Sequence, residues 1–166
     1  LPFGVRVACS VVSMMPERKK SPFDESVLFI GDMHYGSNLF MEEGFLKFID
    51  YLNGKTGKTG EDERIKYLFI LRDLVAGVGI YPGQKKHLKV DDLEAQFQGL
   101  AELLSRIKRG IKIIISPGNH DGVRLMEPQP VLDEKYAWPL YNMKNVTLTA
   151  NPSYVNIGSR KNFSGF

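Results

Sequence analysis

Three short apolar runs, each stopped by glycine or a polar turn, punctuate the chain: Val27 to Ile30, Tyr67 to Leu71 and Ile111 to Ile115. Hydrophobicity that is continuous rather than alternating predicts strands buried on both faces of a parallel sheet. Between the first two runs Phe45, Phe48, Ile49 and Leu52 recur at helical spacing, and between the second and third Leu93, Phe97, Leu100, Leu104 and Ile107 do the same. Each set predicts an amphipathic crossover helix. Asp91 or Asp92 is placed to cap the second helix, and Gly54 and Gly110 to end the two helices with a left-handed residue. Strand, helix, strand, helix, strand predicts an α/β fold, a layered sheet of parallel core strands with right-handed crossovers. Ligands are then expected in the crevice beyond the carboxyl ends of the strands.

Ahead of this unit, Val5 to Val12 reads as a strand, and the polar, proline-bearing stretch from Pro16 to Ser26 as a linker. Residues 1–26 are therefore expected to form an N-terminal strand and linker, and 27–166 the domain proper. The chain opens on Leu1 and closes on Ser164, Gly165 and Phe166 after a strand-like run, so both ends are expected to be cut and the C-terminal part of the domain to be missing. No apolar stretch approaches the roughly 20 residues that span a bilayer, and no membrane association is expected. Cys9 is the single cysteine, which excludes an internal disulfide and fits a cytoplasmic protein. A net charge of +3 and a pI of about 8.9 permit a polyanionic partner without demanding one. The Gly54 to Gly60 segment (GKTGKTG) has the composition of a phosphate-binding loop, but that motif needs a strand before it, and here a helix precedes.

Chemistry gathers at the strand ends. Gly31, Asp32, Met33 and His34 follow the first run, Asp73 the second, and Gly118, Asn119, His120 and Asp121 the third. Asp32 and His34, two apart in extended chain, can turn to one side and offer a carboxylate and an imidazole to one ion. Asp73 has two oxygens and can bridge two cations about 3.5–4 Å apart. Asn119 offers a neutral oxygen to the second ion, which leaves His120 free to act on substrate, with Asp121 placed to hold its imidazole in one tautomer. Taken singly, each of these residues has an ordinary reading as a cap, turn former or structural hydrogen bonder. Recurrence at three successive strand ends is what points to metal chemistry.

These segments, DMH, the one around Asp73 and GNHD, are similar to the first three motifs of the calcineurin-like metallophosphoesterases. Gly77 to Gln84 (GVGIYPGQ), Gly118 to Pro130 (GNHDGVRLMEPQP) and Asn145 to Val155 (NVTLTANPSYV) further resemble the small-subunit family of archaeal family D DNA polymerases. The resemblance covers about residues 27–166. It implies Asp32, His34, Asp73 and Asn119 as metal ligands, His120 as general acid, and 3′ to 5′ exonuclease proofreading of DNA. It also implies two divalent ions, manganese ahead of iron, zinc or magnesium, and a large catalytic polymerase subunit as partner. Tyr81, Lys85, Lys86 and Arg124 are candidate nucleic-acid contacts, a base stacking on the tyrosine and phosphates on the cations; a solvated basic loop is the competing reading.

Three features depart from the family pattern. Arg72 stands where glycine usually precedes the bridging aspartate, and Ala76 where a polar residue is usual, which would remove a group that steers the phosphate or leaving oxygen. The family's later histidines have no counterpart, since His34, His87 and His120 are the only three. A catalytically weakened scaffold subunit and a stand-alone metallophosphoesterase are the alternative functions these features leave open.

Overall fold

The three apolar runs pair side by side in parallel, as their β-branched and aliphatic content favours. In a computed structural model that describes residues 25–56 and 60–157, they form β1 (Ser26–Gly31), β2 (Ile65–Leu71) and β3 (Lys112–Ser116), and a fourth strand, β4 (Val146–Leu148), joins β3. The sheet order is β1-β2-β3-β4, with Ile30 opposite Ile70 and Ile70 opposite Ile115. Between the strands lie α1 (Glu42–Leu52), a one-turn α2 (Glu61–Arg64), a 3₁₀ turn (Gln84–His87), α3 (Leu93–Ser105) and α4 (Glu134–Tyr141). The expected strand at 5–12, Cys9 and most of the expected linker lie outside the described residues, as does the middle of the glycine–lysine loop.

Because spatial order follows chain order, right-handed crossovers place every helix on the same face of the sheet. The core agrees: Ile49 and Leu52 of α1, Phe97, Leu100 and Leu104 of α3, and Ala137 and Leu140 of α4 share one apolar cluster with Leu68, Ile70, Ile113 and Ile115. On the opposite face Phe29, 63% exposed, stacks on Phe69 at 4.9 Å. With Leu71, Ile114, Pro152 and Val155 these rings line an open groove of about 340 Å³. The expectation of strands covered on both sides is therefore corrected: among the described residues, helices cover one face.

Helix ends follow the capping chemistry in part. Asp92 caps α3, its Oδ1 accepting from Ala95 N at 2.8 Å, and Gly54 follows α1 at φ 78°. Gly110 does not end α3. That helix stops at Ser105, with Arg106 right-handed at its cap, and Ile107 reaches the core from the turn beyond. The helix α4 was not anticipated, because Pro139 lies inside it and proline argues against a helix interior. Asp133 starts it by accepting from Lys135 N at 2.9 Å. No helix among the described residues is long and apolar enough to cross a membrane.

Candidate metal centre

The site is built where β1, β2 and β3 leave the sheet. Asp32 (φ 52°), His34 (φ 49°), Arg72 (φ 62°) and Asp73 (φ 45°) all adopt left-handed backbone, a region that non-glycine residues rarely occupy. Such strain persists only where surrounding structure over-determines it. Here the two loops go on pairing past the strands: Asp32 N donates to Arg72 O at 3.3 Å, His34 N to Asp73 O at 2.9 Å and Tyr35 N to Leu74 O at 3.0 Å. Ala76 N returns to Tyr35 O at 2.8 Å, and Arg72 N donates to Ser116 O at 2.9 Å. As a result, one ligand atom from each of Asp32, His34 and Asp73 lies within 4.8 Å of the others.

The third strand end closes against this cluster. Asp73 is 7% exposed, and its Oδ1 accepts from His120 N at 3.0 Å. Gly118 makes the approach possible, since a Cβ there would run into the Asp73 amide and carboxylate. The His120 ring stands edge-on to that of His34, centroids 4.6 Å apart. Asn119 sits half-buried in the turn that Asp121 N closes onto Gly118 O at 3.2 Å. Two carboxylates and an imidazole make a donor set of oxygen with one nitrogen, which fits a hard or borderline divalent ion.

One sequence expectation is corrected at this point. Asp121 does not hold the His120 ring: its Oδ1 accepts from Val75 N at 3.0 Å and its Oδ2 from Gly118 N at 2.8 Å. A carboxylate in this place satisfies buried amides at two strand ends at once. The ring instead meets a carbonyl, His120 Nδ1 lying 2.8 Å from Ala76 O. A carbonyl can only accept, so Nδ1 carries the proton and Nε2 is left for other chemistry. Ala76 is 3% exposed and lies beside the site, to which it contributes its backbone carbonyl.

Burial pushes the Asp121 carboxyl up to about 7, with the negative charge of Asp73 adding to the rise. The N–H groups of Val75, Gly118 and Leu74 pull the other way.

Among the candidate nucleic-acid contacts, Tyr81 is 45% exposed and its ring lies 6.3 Å from that of His87. Lys85 pairs with Asp91 at 3.0 Å, while Lys86 and Arg124 are exposed. Among the described residues, no hydrogen bond or ion pair ties any of the four to Asp32, His34 or Asp73. Sequence reasoning passed over two buried amides. Gln84, 3% exposed, donates to Ala76 O at 2.9 Å and accepts from Ile80 N at 2.9 Å. Gln96, fully buried, accepts from Gly77 N at 2.9 Å and donates to Val90 O at 2.7 Å. Gln84 adjoins a run of lysines, and no local pattern separates it from a solvated residue.

Comparison with known proteins gives the chain its relatives. The model of the calcineurin-like phosphoesterase family matches residues 26–163. The chain is 42% identical over 148 residues to the DNA polymerase II small subunit of Methanothermobacter thermautotrophicus, covering 86% of this chain and 30% of that protein. Identity is 42% to the protein of the same name from Pyrococcus furiosus, with 86% and 24% covered. It is 43% to that from Methanocaldococcus jannaschii, with 86% and 25% covered. The chain thus spans between about a quarter and a third of the length of these relatives. A parallel sheet whose first three strands end in Asp32, His34, Asp73 and His120, matched by the family model over most of its length, places this chain in the calcineurin-like phosphoesterase family.

Proposed function

We propose that the chain is the metal-binding part of a 3′ to 5′ proofreading exonuclease, carried by the small subunit of an archaeal DNA polymerase and working beside a large catalytic subunit. The observation that carries this reading is the convergence of Asp32, His34 and Asp73 within 4.8 Å, with the His120 ring packed against His34. The names of the similar archaeal proteins support the polymerase context. Residues 27–166 are the catalytic domain in this reading, 1–26 its leading strand and linker, and the protein is cytoplasmic.

Asp32 and His34 would hold one divalent ion, Asn119 the other, and Asp73 would serve both, with manganese the preferred metal. When bound, such ions supply polarisation of the phosphoryl oxygens and an acidified water for attack. His120, its Nδ1–H anchored on Ala76 O, would take up a second proton at Nε2 and, as the imidazolium, give that proton to the leaving 3′ oxygen. Asp121 keeps the Gly118 turn in place through its two amide bonds. Tyr81, Lys85, Lys86 and Arg124 offer a ring and cations to the single strand, Lys85 at the cost of its pair with Asp91.

The test is Asp73→Asn in the complete subunit with its large partner. Manganese-dependent release of nucleotides from a DNA 3′ end should fall by roughly 100-fold or more. Melting should change little, because an amide oxygen can still accept from His120 N. Retained activity would overturn the assignment of Asp73 and with it the two-ion site.

A further inference from the structure

The carbonyl of Ala76 accepts twice. His120 Nδ1 approaches it at 2.8 Å and Gln84 Nε2 at 2.9 Å, which occupies both lone pairs of one oxygen. The Gln84 amide is 3% exposed and is fully engaged, since its Oε1 takes the Ile80 amide at 2.9 Å. It bonds to backbone on both sides of Gly77, a residue at φ 72° where a Cβ would run into His120 O. Gln96 grips the same turn from helix α3, bonding Gly77 N and, at 3.3 Å, Gly77 O. The Gln96 side chain also fills the space that a Cβ on Gly36 would need, two residues beyond His34.

We propose that Gln84 is a positioning residue for His120: by holding the Ala76 carbonyl, it aims that oxygen at Nδ1–H and leaves Nε2 as the atom that takes up a proton and passes it on. The inference rests on the function proposed above for His120, but the hydrogen-bond chain itself stands without it. Glutamine suits this place because it donates and accepts along one short side chain. An ionised glutamate would keep the bond from Ile80 N yet set an oxygen against Ala76 O, and a methionine would fill the space with neither bond at any pH. Either change leaves the carbonyl free to swing away from the imidazole. Gln98, exposed on α3 and bonded only to Glu94, is the control.

The deciding measurement is nitrogen-15 NMR of the histidine rings in the chelator-treated full protein, at a pH where His120 is neutral, the His120 signal being identified by its loss in His120→Gln. The expected result is a protonated Nδ1 and a bare Nε2 in the unmodified protein and in Gln98→Met. In Gln84→Glu and Gln84→Met the tautomer ratio should move toward Nε2–H by roughly three- to tenfold, the weight of one hydrogen bond. With manganese and bis(p-nitrophenyl) phosphate as probe, kcat should fall about tenfold in the same variants while KM holds. A folded Gln84 variant with an unchanged ratio overturns the proposal, as does an Nε2–H ring in the unmodified protein. Loss of the fold in both variants would make Gln84 structural only and overturns it too. If the ratio shifts as expected but the unmodified protein hydrolyses nothing, the positioning role stands and the catalytic reading of His120 fails.

Discussion

Arg72 holds a left-handed conformation, φ 62°, with its backbone spent on Ser116 and Asp32 and its side chain exposed. The family's usual glycine at this point is thereby explained: the position requires φ above zero, which costs a side-chain-bearing residue about 1–2 kcal/mol. Arg72→Gly should therefore raise the free energy of unfolding by up to about 1 kcal/mol, and the urea midpoint with it, part of the gain being offset by the freer unfolded chain. Equilibrium urea unfolding reads this directly, and a lower midpoint would mean that the arginine side chain has an unseen stabilising role. Asp121 sets a pH dependence. Its carboxyl moves from 3.8 to about 7 on folding, so the folded state binds this proton more tightly than the unfolded one. That contribution is complete below about pH 4 and is lost as pH rises through about 7. Asp121→Asn cannot titrate, and the stability gap between it and the unmodified protein should narrow from pH 4 to pH 8 in melts without metal. A gap that widens over that range would reverse the sign argued here.

The strand ends show how much of an element's behaviour depends on a single close approach. Gly118 ends the β3 turn against Asp73, and an added Cβ meets that residue's amide and carboxylate, whereas Gly110, in the turn before β3, faces open space. Gly118→Ala should cost about 1–3 kcal/mol and weaken manganese binding by displacing Asp73. Gly110→Ala should do neither, and calorimetric titration alongside melting separates the two. The elements themselves were readable from spacing because periodicity is a property of neighbours along the chain. The three core strands fall within two residues of their expected bounds, and of the two candidate caps, Asp91 and Asp92, it is Asp92 that caps α3. Helix α4 and strand β4 were not legible, the first because of Pro139 and the second because it has three residues.

Across the molecule, the sheet has one face under the helices and one lined by exposed aromatic and aliphatic side chains. Leu68→Ala, on the covered face with no exposure, should cost roughly 2–5 kcal/mol. Phe29→Ala, on the open face, should cost less than half of that, because its ring is 63% exposed and loses chiefly its stack on Phe69. Equal costs would mean that the open face is covered in solution. The sequence alone determined the α/β alternation, the placement of Asp32, His34, Asp73, Asn119 and His120 at strand ends, and the family likeness. These follow from residue type and short-range spacing, which the chain carries in one dimension. What only the tertiary structure decided are the pairings: Ala76 O rather than Asp121 on the His120 ring, 44 residues away, and Asp121 on the Val75 amide, 46 residues away. A buried polar atom takes whichever donor or acceptor the fold brings within about 3 Å, and that choice has no signature in local sequence.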